Sequence, residues 1–381
     1  MTGNRPPLVP PPPALRPTLA GASYASADVF ASEQEHIFET MWICAVRSAE
    51  LAPPGRFKKV QIGRESVLLV RGRDGLLRAF LNVCRHRGAQ LCTEAEGQVK
   101  RSLRCPYHSW TYALDGSLTA APNIGSLTDD VGAPIDRTEF GLVPVALTEW
   151  LGYTWVCLSD TPPPFEDVVA EATRTLGDSD AINRYGIGGL DVGRRIVYDV
   201  AANWKLIVEN FMECYHCSSI HPELVGVVPE FARGVAAQAN IGRGAKFGSE
   251  IAGFTIDGAA GFDRLPGITD EQDRHYYAIT LNPTVFVNLV PDHVIFHRMY
   301  PMSVDRTVVE CDWLYTGDVL GSDHDVSRSV ELFHRVNEQD FAACERTQPA
   351  MSSRAYRRGG VLVPAEHHIA EFHEWVVSRL G

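Results

Sequence analysis

The sequence contains no apolar run long enough to span a membrane, and its first residues, MTGNRPPLVPPPPALRP, lack the apolar core of a signal peptide. We therefore expect a cytoplasmic protein without a membrane partner. Clustered lysine and arginine residues are also missing, and the formal net charge is −12. Because binding to a phosphate backbone requires clustered cations, this composition argues against a nucleic-acid partner.

The nine cysteines have neither the even number nor the spacing of a small disulfide-stapled scaffold. A disulfide framework is therefore not expected, and reduced thiols or metal ligands are favoured. The cysteines lie at positions 44, 84, 92, 105, 157, 214, 217, 311 and 344.

The chain of 381 residues, of which 45% are hydrophobic and 22% charged, is long enough for two or three globular domains. Residues 1–40 predict an extended proline-rich arm, Pro6–Pro13, and a leading helix. Short β-type runs separated by Gly, Asp and Asn turns predict a small antiparallel β domain over residues 41–161. Beyond the stretch SDTPPPFEDVV, strands alternate with helices over residues 162–381, which predicts an α+β domain whose antiparallel sheet is flanked by helices.

Four potential metal ligands lie in the stretch NVCRHRGAQLCTEAEGQVKRSLRCPYHSWTY. Cys84 and His86 are two residues apart, Cys105 and His108 are three apart, and eighteen residues separate the pairs. Zinc ribbons and fingers usually pair like ligands, whereas each pair here mixes one cysteine with one histidine. This mixture favours a two-iron cluster with both thiolates on one iron and both imidazoles on the other, and a structural zinc is the alternative. The segments CRHRG and RCPYHSW resemble a Rieske [2Fe-2S] domain.

A second candidate site lies in NWKLIVENFMECYHCSSIHPEL. The spacing predicts that Glu213 and His216 share one face of a helix, and Pro222 predicts that this helix ends before His221, so that the two histidines can meet. Asp340 falls on the core-facing stripe of a later predicted helix, where a carboxylate is costly unless it is paired or bound to a metal. Two histidines and one carboxylate are typical of an iron that binds O₂. Taken singly, each histidine also fits a core residue, and the aspartate fits an internal ion pair.

With these motifs in this order and a late QD…CE..Q segment, the sequence resembles the large (α) subunit of Rieske-type mononuclear non-haem iron oxygenases. The resemblance covers nearly all of the chain after the proline arm and implies a catalytic domain of the helix-grip type. It implies that Glu213, where the family more often has Asp, links a cluster histidine of one subunit to the iron ligands of the next in a homotrimer. It assigns the [2Fe-2S] cluster to Cys84, His86, Cys105 and His108, and a mononuclear Fe(II) to His216, His221 and Asp340.

The segments ENFMECYHCSSIHPELVGVVP and NLVPDHVIFHRMYPMSVDRTVVECDWLY resemble the branch of this family that oxidises betaines, which includes glycine betaine, stachydrine and carnitine oxygenases. This resemblance implies O₂-dependent N-demethylation of a quaternary ammonium substrate. Aromatic faces bind such cations, so we expect substrate contacts from Phe211, Phe286, Phe296 and Tyr300. Each of these four also fits ordinary strand or helix core.

No dinucleotide-binding fingerprint follows a predicted strand, and no second cysteine-rich cluster is present. NAD(P)H oxidation is therefore expected on a separate flavin and iron–sulfur reductase. Two alternatives stay open: hydroxylation of an aromatic ring by the same metals, and a non-catalytic electron-transfer or metal-binding module whose second domain is a scaffold. Product analysis distinguishes the first, and an iron count distinguishes the second.

Overall fold

A computed structural model describes residues 15–122, 136–178, 180–234, 243–321 and 324–381. The predicted proline arm lies outside these residues. Within the described ranges, no helix is both long and apolar enough to cross a membrane. The chain divides into two compact units: Gln34–Asp167, and Met1–Glu33 together with Val168–Gly381.

The predicted leading helix is interrupted. After the two-residue strand β1 (Arg16–Pro17) come the short helices α1 (Ala22–Ala25) and α2 (Ala27–Glu33), then a π-helical turn over Gln34–Phe38. Helices α1 and α2 belong to the same compact unit as the C-terminal part of the chain, whereas the turn begins the other unit.

The unit over Gln34–Asp167 is built from antiparallel strands. A seven-stranded sheet has the order β2-β11-β10-β5-β4-β3-β6, and a three-stranded sheet has the order β7-β8-β9. The strands are β2 (Ile43–Arg47), β3 (Arg56–Ile62), β4 (Glu65–Arg71), β5 (Leu77–Leu81), β6 (Glu96–Gln98), β7 (Ser102–Arg104), β8 (Thr111–Ala113), β9 (Leu118–Ala120), β10 (Pro144–Trp150) and β11 (Tyr153–Cys157).

The larger unit contains a six-stranded antiparallel sheet of order β12-β17-β16-β15-β14-β13. Its strands are β12 (Asp191–Val200), β13 (Ala245–Lys246), β14 (His275–Leu281), β15 (Val285–Leu289), β16 (Val294–Ser303) and β17 (Arg306–Tyr315), and β18 (Val361–Leu362) pairs with β1. Its helices are α3 (Glu166–Leu176), α4 (Trp204–Phe211), α5 (Cys217–Ile220), α6 (Pro222–Val227), α7 (Gly317–Leu320), α8 (Ser327–Thr347) and α9 (His367–Leu380).

Helix α8 packs its apolar stripe against the core of this unit. Leu332, Phe333, Val336 and Cys344 are buried on it, as the helical period of the sequence predicts. Phe333 and Val336 pack in one hydrophobic cluster with strand residues such as Ile295. The predicted α+β fold, an antiparallel β domain followed by a sheet flanked by helices, is confirmed.

The segment Asn203-Trp204-Lys205 anchors helix α4. The Asn203 side chain caps the helix by accepting a hydrogen bond from the Lys205 N–H at 3.0 Å. Glu33, at the end of α2, accepts hydrogen bonds from the Trp204 indole at 2.8 Å and from the Lys205 ammonium at 2.5 Å. Because Glu33 and Lys205 are both fully buried, each charge depends on the other. The ion pair therefore ties the N-terminal segment to the helix that precedes the second candidate site.

Candidate metal centres

The four predicted cluster ligands lie on two loops of the same design, one after β5 and one after β7. In each loop the cysteine carbonyl accepts from the N–H four residues later, at 3.0 Å for Cys84 and 3.1 Å for Cys105, and that later residue, Gly88 or Ser109, has a positive φ. The cysteine N–H donates to the carbonyl five residues later, at 2.8 Å in both loops. The same backbone turn therefore positions one cysteine and one histidine in each loop.

The side chains of these loops converge. The rings of His86 and His108 have centroids 4.6 Å apart, and Cys84 and Cys105 are both buried. Nδ1 of His108 is buried and, within the described part of the chain, has no hydrogen-bond partner. Desolvation and the nearby His86 and Arg87 lower the pKa of His108, which favours the neutral imidazole that a metal requires. An orphaned buried nitrogen beside two thiols fits the ligand set of the cluster.

Two neighbours that the sequence did not single out hold this site. The Tyr112 hydroxyl accepts from the Arg85 N–H at 3.0 Å and lies 3.3 Å from Sγ of Cys84, to which it would donate when that sulfur is a cluster-bound thiolate. The His86 ring stacks on Trp110 with centroids 5.0 Å apart. Hydrogen bonds to the sulfur atoms of a cluster tune its reduction potential, so Tyr112 is a tuning residue.

The second site is formed differently from the prediction, because helix α4 ends at Phe211 and Glu213 and His216 are not on one helix. A turn brings them together instead. The Glu213 carboxylate accepts from the backbone N–H groups of Tyr215 and His216 and from Nδ1–H of the His216 ring. The helix α5 ends before His221, as the following proline predicts, and Pro222 begins α6.

Both imidazoles direct Nε2 at one carboxylate oxygen. Asp340 Oδ1 lies 3.3 Å from Nε2 of His216 and 2.8 Å from Nε2 of His221. Each Nδ1–H is held by an acceptor: that of His216 by Glu213, and that of His221 by Oε1 of Gln339 at 2.6 Å. Outer acceptors of this kind fix the tautomer that leaves Nε2 free for a metal. No role was predicted for Gln339, although it is the first residue of the QD…CE..Q segment that contributed to the family resemblance.

The electrostatics of the second site indicate an excess of negative charge. Burial opposes the charged form, but hydrogen bonds with Asp340 and Glu213 raise the pKa of His216 to about 10. Burial also opposes ionisation of Asp340, yet its hydrogen bonds with His216 and His221 lower its pKa. Without a metal, His216 therefore retains a proton at the position where a divalent cation would bind. The ligand set, two imidazole nitrogens and one carboxylate oxygen, fits Fe(II).

Two other carboxylates of this unit, Asp312 on β17 and Glu345 on α8, are engaged elsewhere. Asp312 is fully buried and accepts from Arg195 at 2.5 Å and from Arg298 at 3.4 Å. Glu345 accepts from the N–H of Ala201 at 3.0 Å. Asp340 is therefore the carboxylate that the fold brings to the histidines.

The cysteines of this segment correct the expectation that all nine are reduced or metal-bound. Cys214 and Cys217 form a disulfide with Cα atoms 4.9 Å apart. Sγ of Cys217 lies 3.9 Å from Nε2 of His216, close enough to group it with the two histidines as a potential ligand set. In the disulfide, however, it has no thiolate to offer a metal.

A cavity of about 400 Å³, including its open mouth, adjoins the Asp340 carboxylate. Its wall combines apolar and aromatic side chains with polar ones, and the lining side chains include no Lys or Arg among the described residues. Apart from the candidate ligands, Glu213 and the disulfide, the lining residues are Asn210, Phe211, Leu224, Phe231, Tyr276, Ala278, Phe333 and Val336.

Only one of the four aromatic residues predicted to contact substrate lines this cavity. Phe211 does so, and Phe286 stacks behind it with ring centroids 4.0 Å apart. Phe296 is fully buried on β16, where side chains alternate between the two faces of the sheet, and neighbouring His297 takes the face of Phe286. Tyr300 lies near the end of the same strand and accepts from Arg298 at 3.0 Å. The other three aromatic lining residues, Phe231, Tyr276 and Phe333, were not predicted.

One domain carries two Cys–His loops, and the other carries a two-histidine, one-carboxylate site beside a partly aromatic cavity. Together they define a class of redox enzymes that activate O₂ at iron. Two family models match the chain accordingly: the Rieske [2Fe-2S] domain over residues 41–131, and the ring hydroxylating alpha subunit (catalytic domain) over residues 187–381. The chain belongs to the family of ring-hydroxylating alpha subunits and is the oxygenase subunit of a Rieske non-haem iron monooxygenase.

Several proteins similar to this chain are named for quaternary ammonium substrates. The chain is 32% identical to the glycine betaine monooxygenase oxygenase subunit of Pseudomonas aeruginosa, over 94% of this chain and 87% of that one. It is 30% identical to the carnitine monooxygenase oxygenase subunit of Escherichia coli K12, over 93% of this chain and 92% of that one. The crystal structure of the quaternary ammonium Rieske monooxygenase CntA with L-carnitine matches with a TM-score of 0.71 at 27% identity, covering 97% of each chain.

These comparisons confirm the predicted family, the enzyme class and the two cofactors, a Rieske cluster and a mononuclear iron. They also show that the chain needs a separate reductase, because it is an oxygenase subunit. The alternative of a non-catalytic electron-transfer or metal-binding module is thereby excluded.

Proposed function

We propose that this oxygenase subunit removes an N-methyl group from a betaine-type quaternary ammonium substrate, using O₂ and two electrons that a separate flavin and iron–sulfur reductase takes from NAD(P)H. In the net reaction the trimethylammonium cation, O₂, two electrons and two protons give the dimethylamine, formaldehyde, water and one proton. Hydroxylation of one methyl C–H produces a hemiaminal, and breakage of its C–N bond releases the formaldehyde.

In this proposal two sets of residues hold the metals. The thiolates of Cys84 and Cys105 and the imidazoles of His86 and His108 would hold the cluster. His216, His221 and Asp340 would hold the mononuclear Fe(II). When bound, the cluster supplies an electron and the mononuclear iron supplies the site of O₂ reduction.

The observation that carries the substrate class is the aromatic lining of the cavity. Its wall includes Phe211, Phe231 and Tyr276, and it presents no basic side chain among the residues described. A quaternary ammonium group gains from aromatic faces and from nearby carboxylates, and it needs no hydrogen-bond acceptor. A cation therefore matches this wall better than an anion does.

The protein groups around the iron position it and exclude water. Glu213 and Gln339 hold the two imidazoles in the tautomer that offers Nε2, and a single carboxylate ligand leaves further coordination positions free. The apolar wall keeps bulk water from the reacting methyl group, so that O₂ reduction is coupled to the substrate rather than wasted.

The test is turnover of glycine betaine, carnitine and small aromatic compounds with reductase, NADH and O₂, with formaldehyde and hydroxylated products measured together. We expect stoichiometric formaldehyde from a quaternary ammonium compound and three iron atoms per chain. A hydroxylated ring without formaldehyde would assign the protein to aromatic substrates instead.

We further propose that the protein is a cyclic homotrimer in which Glu213 of one subunit hydrogen-bonds a cluster histidine, most simply His108, of its neighbour. The Glu213 carboxylate already holds the His216 ring, so a second contact to a cluster histidine would connect the two metals through one side chain. A largely exposed tyrosine flanks each site, Tyr107 at 57% beside His108 and Tyr215 at 59% beside His216. Exposed aromatic side chains of this kind are common in protein interfaces.

Glu213→Gln tests this bridge, because it keeps an acceptor for His216 but removes the charge. We expect both metals and the trimer to be retained, and the single-turnover rate of the pre-reduced protein to fall. A fully active monomer, or an unchanged single-turnover rate in the variant, would show that the bridge does not exist.

A further inference from the structure

Tyr276 lies on β14 and lines the cavity beside Ala278. Its hydroxyl hydrogen is directed away from the cavity, because the O–H donates to Oδ1 of Asn288 on the next strand. No described residue donates to the hydroxyl oxygen of Tyr276. Since a hydroxyl has only one hydrogen, this oxygen can act toward the cavity only as an acceptor.

The hydrogen bond from Tyr276 is the first of a chain that crosses the sheet. Nδ2 of Asn288 lies 3.4 Å from Nδ1 of His297, and Nε2 of His297 lies 3.1 Å from Oδ1 of Asn337 on α8. Burial lowers the pKa of His297 to about 4, so its imidazole is neutral and has one N–H. With Nδ1 accepting from Asn288, that hydrogen is on Nε2, where it faces two acceptors at 3.1 Å, Oδ1 of Asn337 and Sγ of Cys311.

The chain ends at the protein surface. Nδ2 of Asn337 donates to the Tyr198 hydroxyl at 3.3 Å, and this hydroxyl lies 2.9 Å from Nδ1 of His334. Nε2 of His334 lies 3.7 Å from Oε1 of Glu338, whose side chain is 62% exposed. This separation is too long for a hydrogen bond, but the negative charge of the carboxylate favours the His334 hydrogen on Nε2, which leaves Nδ1 to accept from Tyr198.

The direction of the whole chain is that of its first bond, from the Tyr276 O–H to Oδ1 of Asn288. Every group in the chain would also find a partner if each amide were flipped and each imidazole had the other tautomer. In that reversed chain, however, the Tyr276 O–H would point into the cavity. The carboxylate of Glu338 favours the observed direction, in which each donor points away from the cavity and toward the surface.

We propose that this chain makes Tyr276 a specificity-determining residue, which presents oxygen lone pairs rather than an O–H to the substrate and thereby selects a trimethylammonium group over its uncharged isostere. The proposal rests on the proposed function and adds to it the residue that distinguishes a positively charged substrate group from an uncharged one. N-methyl groups of a cation carry partial positive charge and accept no hydrogen bond, so an acceptor oxygen attracts them, whereas an inward O–H would be left unpaired.

The test compares two ligands that differ in one atom: glycine betaine, and 3,3-dimethylbutanoate, in which carbon replaces the charged nitrogen. Binding of each to the iron-loaded holoenzyme is measured by calorimetry without O₂, so that turnover is not required. For Tyr276→Phe we expect roughly tenfold weaker binding of glycine betaine and a change of less than about twofold for the isostere, because the ring remains and only the oxygen is lost.

Tyr315→Phe is the matched control. Tyr315 is equally buried on the same sheet, its hydroxyl bonds the Ser329 hydroxyl at 2.7 Å, and it does not line the cavity. We expect it to leave the preference between the two ligands unchanged. An equal loss of both ligands in Tyr276→Phe would overturn the proposal, because it would show a purely structural role.

Tyr198→Phe tests the chain from outside the cavity. It removes the hydroxyl that links Asn337 to His334. The hydrogen bonds between Tyr276 and Asn337 can then adopt either donor–acceptor direction. We expect a loss of glycine betaine preference of about threefold, smaller than that of Tyr276→Phe and in the same direction. An unchanged preference for glycine betaine over the isostere would refute the claim that the hydrogen-bond chain orients the Tyr276 hydroxyl.

The two proposals fail differently. If the wild-type holoenzyme does not prefer glycine betaine over the isostere, the proposed function fails and this inference fails with it. If the wild type has the preference and Tyr276→Phe retains it in full, the proposed function stands and this inference alone is refuted.

Discussion

The two metal sites are assembled over very different lengths of chain. All four candidate cluster ligands lie between Cys84 and His108, and backbone hydrogen bonds within each loop place them. At the iron site, His221 and Asp340 are 119 residues apart, and side chains such as Gln339 place them. The first site therefore depends mainly on local turns, whereas the second depends on the packing of α8 against the sheet and against the segment that follows α4. We expect substitutions to affect the two sites independently.

The largest expected effect is that of Asp340→Ala. Removing the carboxylate should release the mononuclear iron and abolish oxygenation, while the electron paramagnetic resonance signal of the reduced cluster stays unchanged. Iron analysis should find two atoms per chain instead of three. Glu331→Ala is the control, because Glu331 is an exposed acid on the same helix that pairs with Arg335. Near-normal activity of Asp340→Ala would mean that another carboxylate is the ligand.

The next effect is that of Lys205→Met, which leaves Glu33 buried without its charged partner. Breaking a buried ion pair from one side typically costs about 3–5 kcal/mol of unfolding free energy. Because both residues belong to the unit that holds the iron site, denaturant should release the mononuclear iron from the variant before the cluster is lost. Unfolding followed by fluorescence and by the cluster's visible absorbance measures the two losses separately. Their simultaneous loss would contradict independent stability.

A smaller effect is expected from Gln339→Leu, which removes the acceptor for Nδ1–H of His221. Loss of such an outer partner typically weakens metal affinity by about 10–100-fold. Gln339→Glu keeps an oxygen at this position and should restore most of the affinity. Chelator competition for the mononuclear iron measures both variants. If the two variants behave alike, Gln339 does not orient His221.

The smallest effect is expected at the cluster. Tyr112→Phe removes the hydrogen bond to Sγ of Cys84, which stabilises the more negative, reduced state. A bond worth about 1 kcal/mol corresponds to a fall of about 40 mV in a one-electron potential. Spectroelectrochemical titration measures this shift, and iron content should remain at three atoms per chain. A potential equal to that of the wild type would exclude the tuning role of Tyr112.

The loops that hold the cluster ligands, and the helix that carries Asp340, could be predicted because short-range patterns specify them. One or two residues between the ligands of each pair fix a turn, and a 3.6-residue period fixes which side of α8 is buried. The turn that joins Glu213 to His216 could not be predicted in the same way. The helical spacing was present in the sequence, but the Glu213 carboxylate binds the backbone of the turn and replaces the helix there.

By itself, the sequence determined the fold class, the two metal-binding motifs and the family, since all three depend on residue types at short, fixed spacings. Only the tertiary structure decided which side chains line the cavity, because Phe211, Phe231, Tyr276 and Phe333 come from separate elements that meet only when α8 and the segments after α4 pack on the sheet. The same packing decided the direction of the hydrogen-bond chain behind Tyr276. An amide or imidazole can donate or accept at either end, and only its neighbours in space determine which end does so.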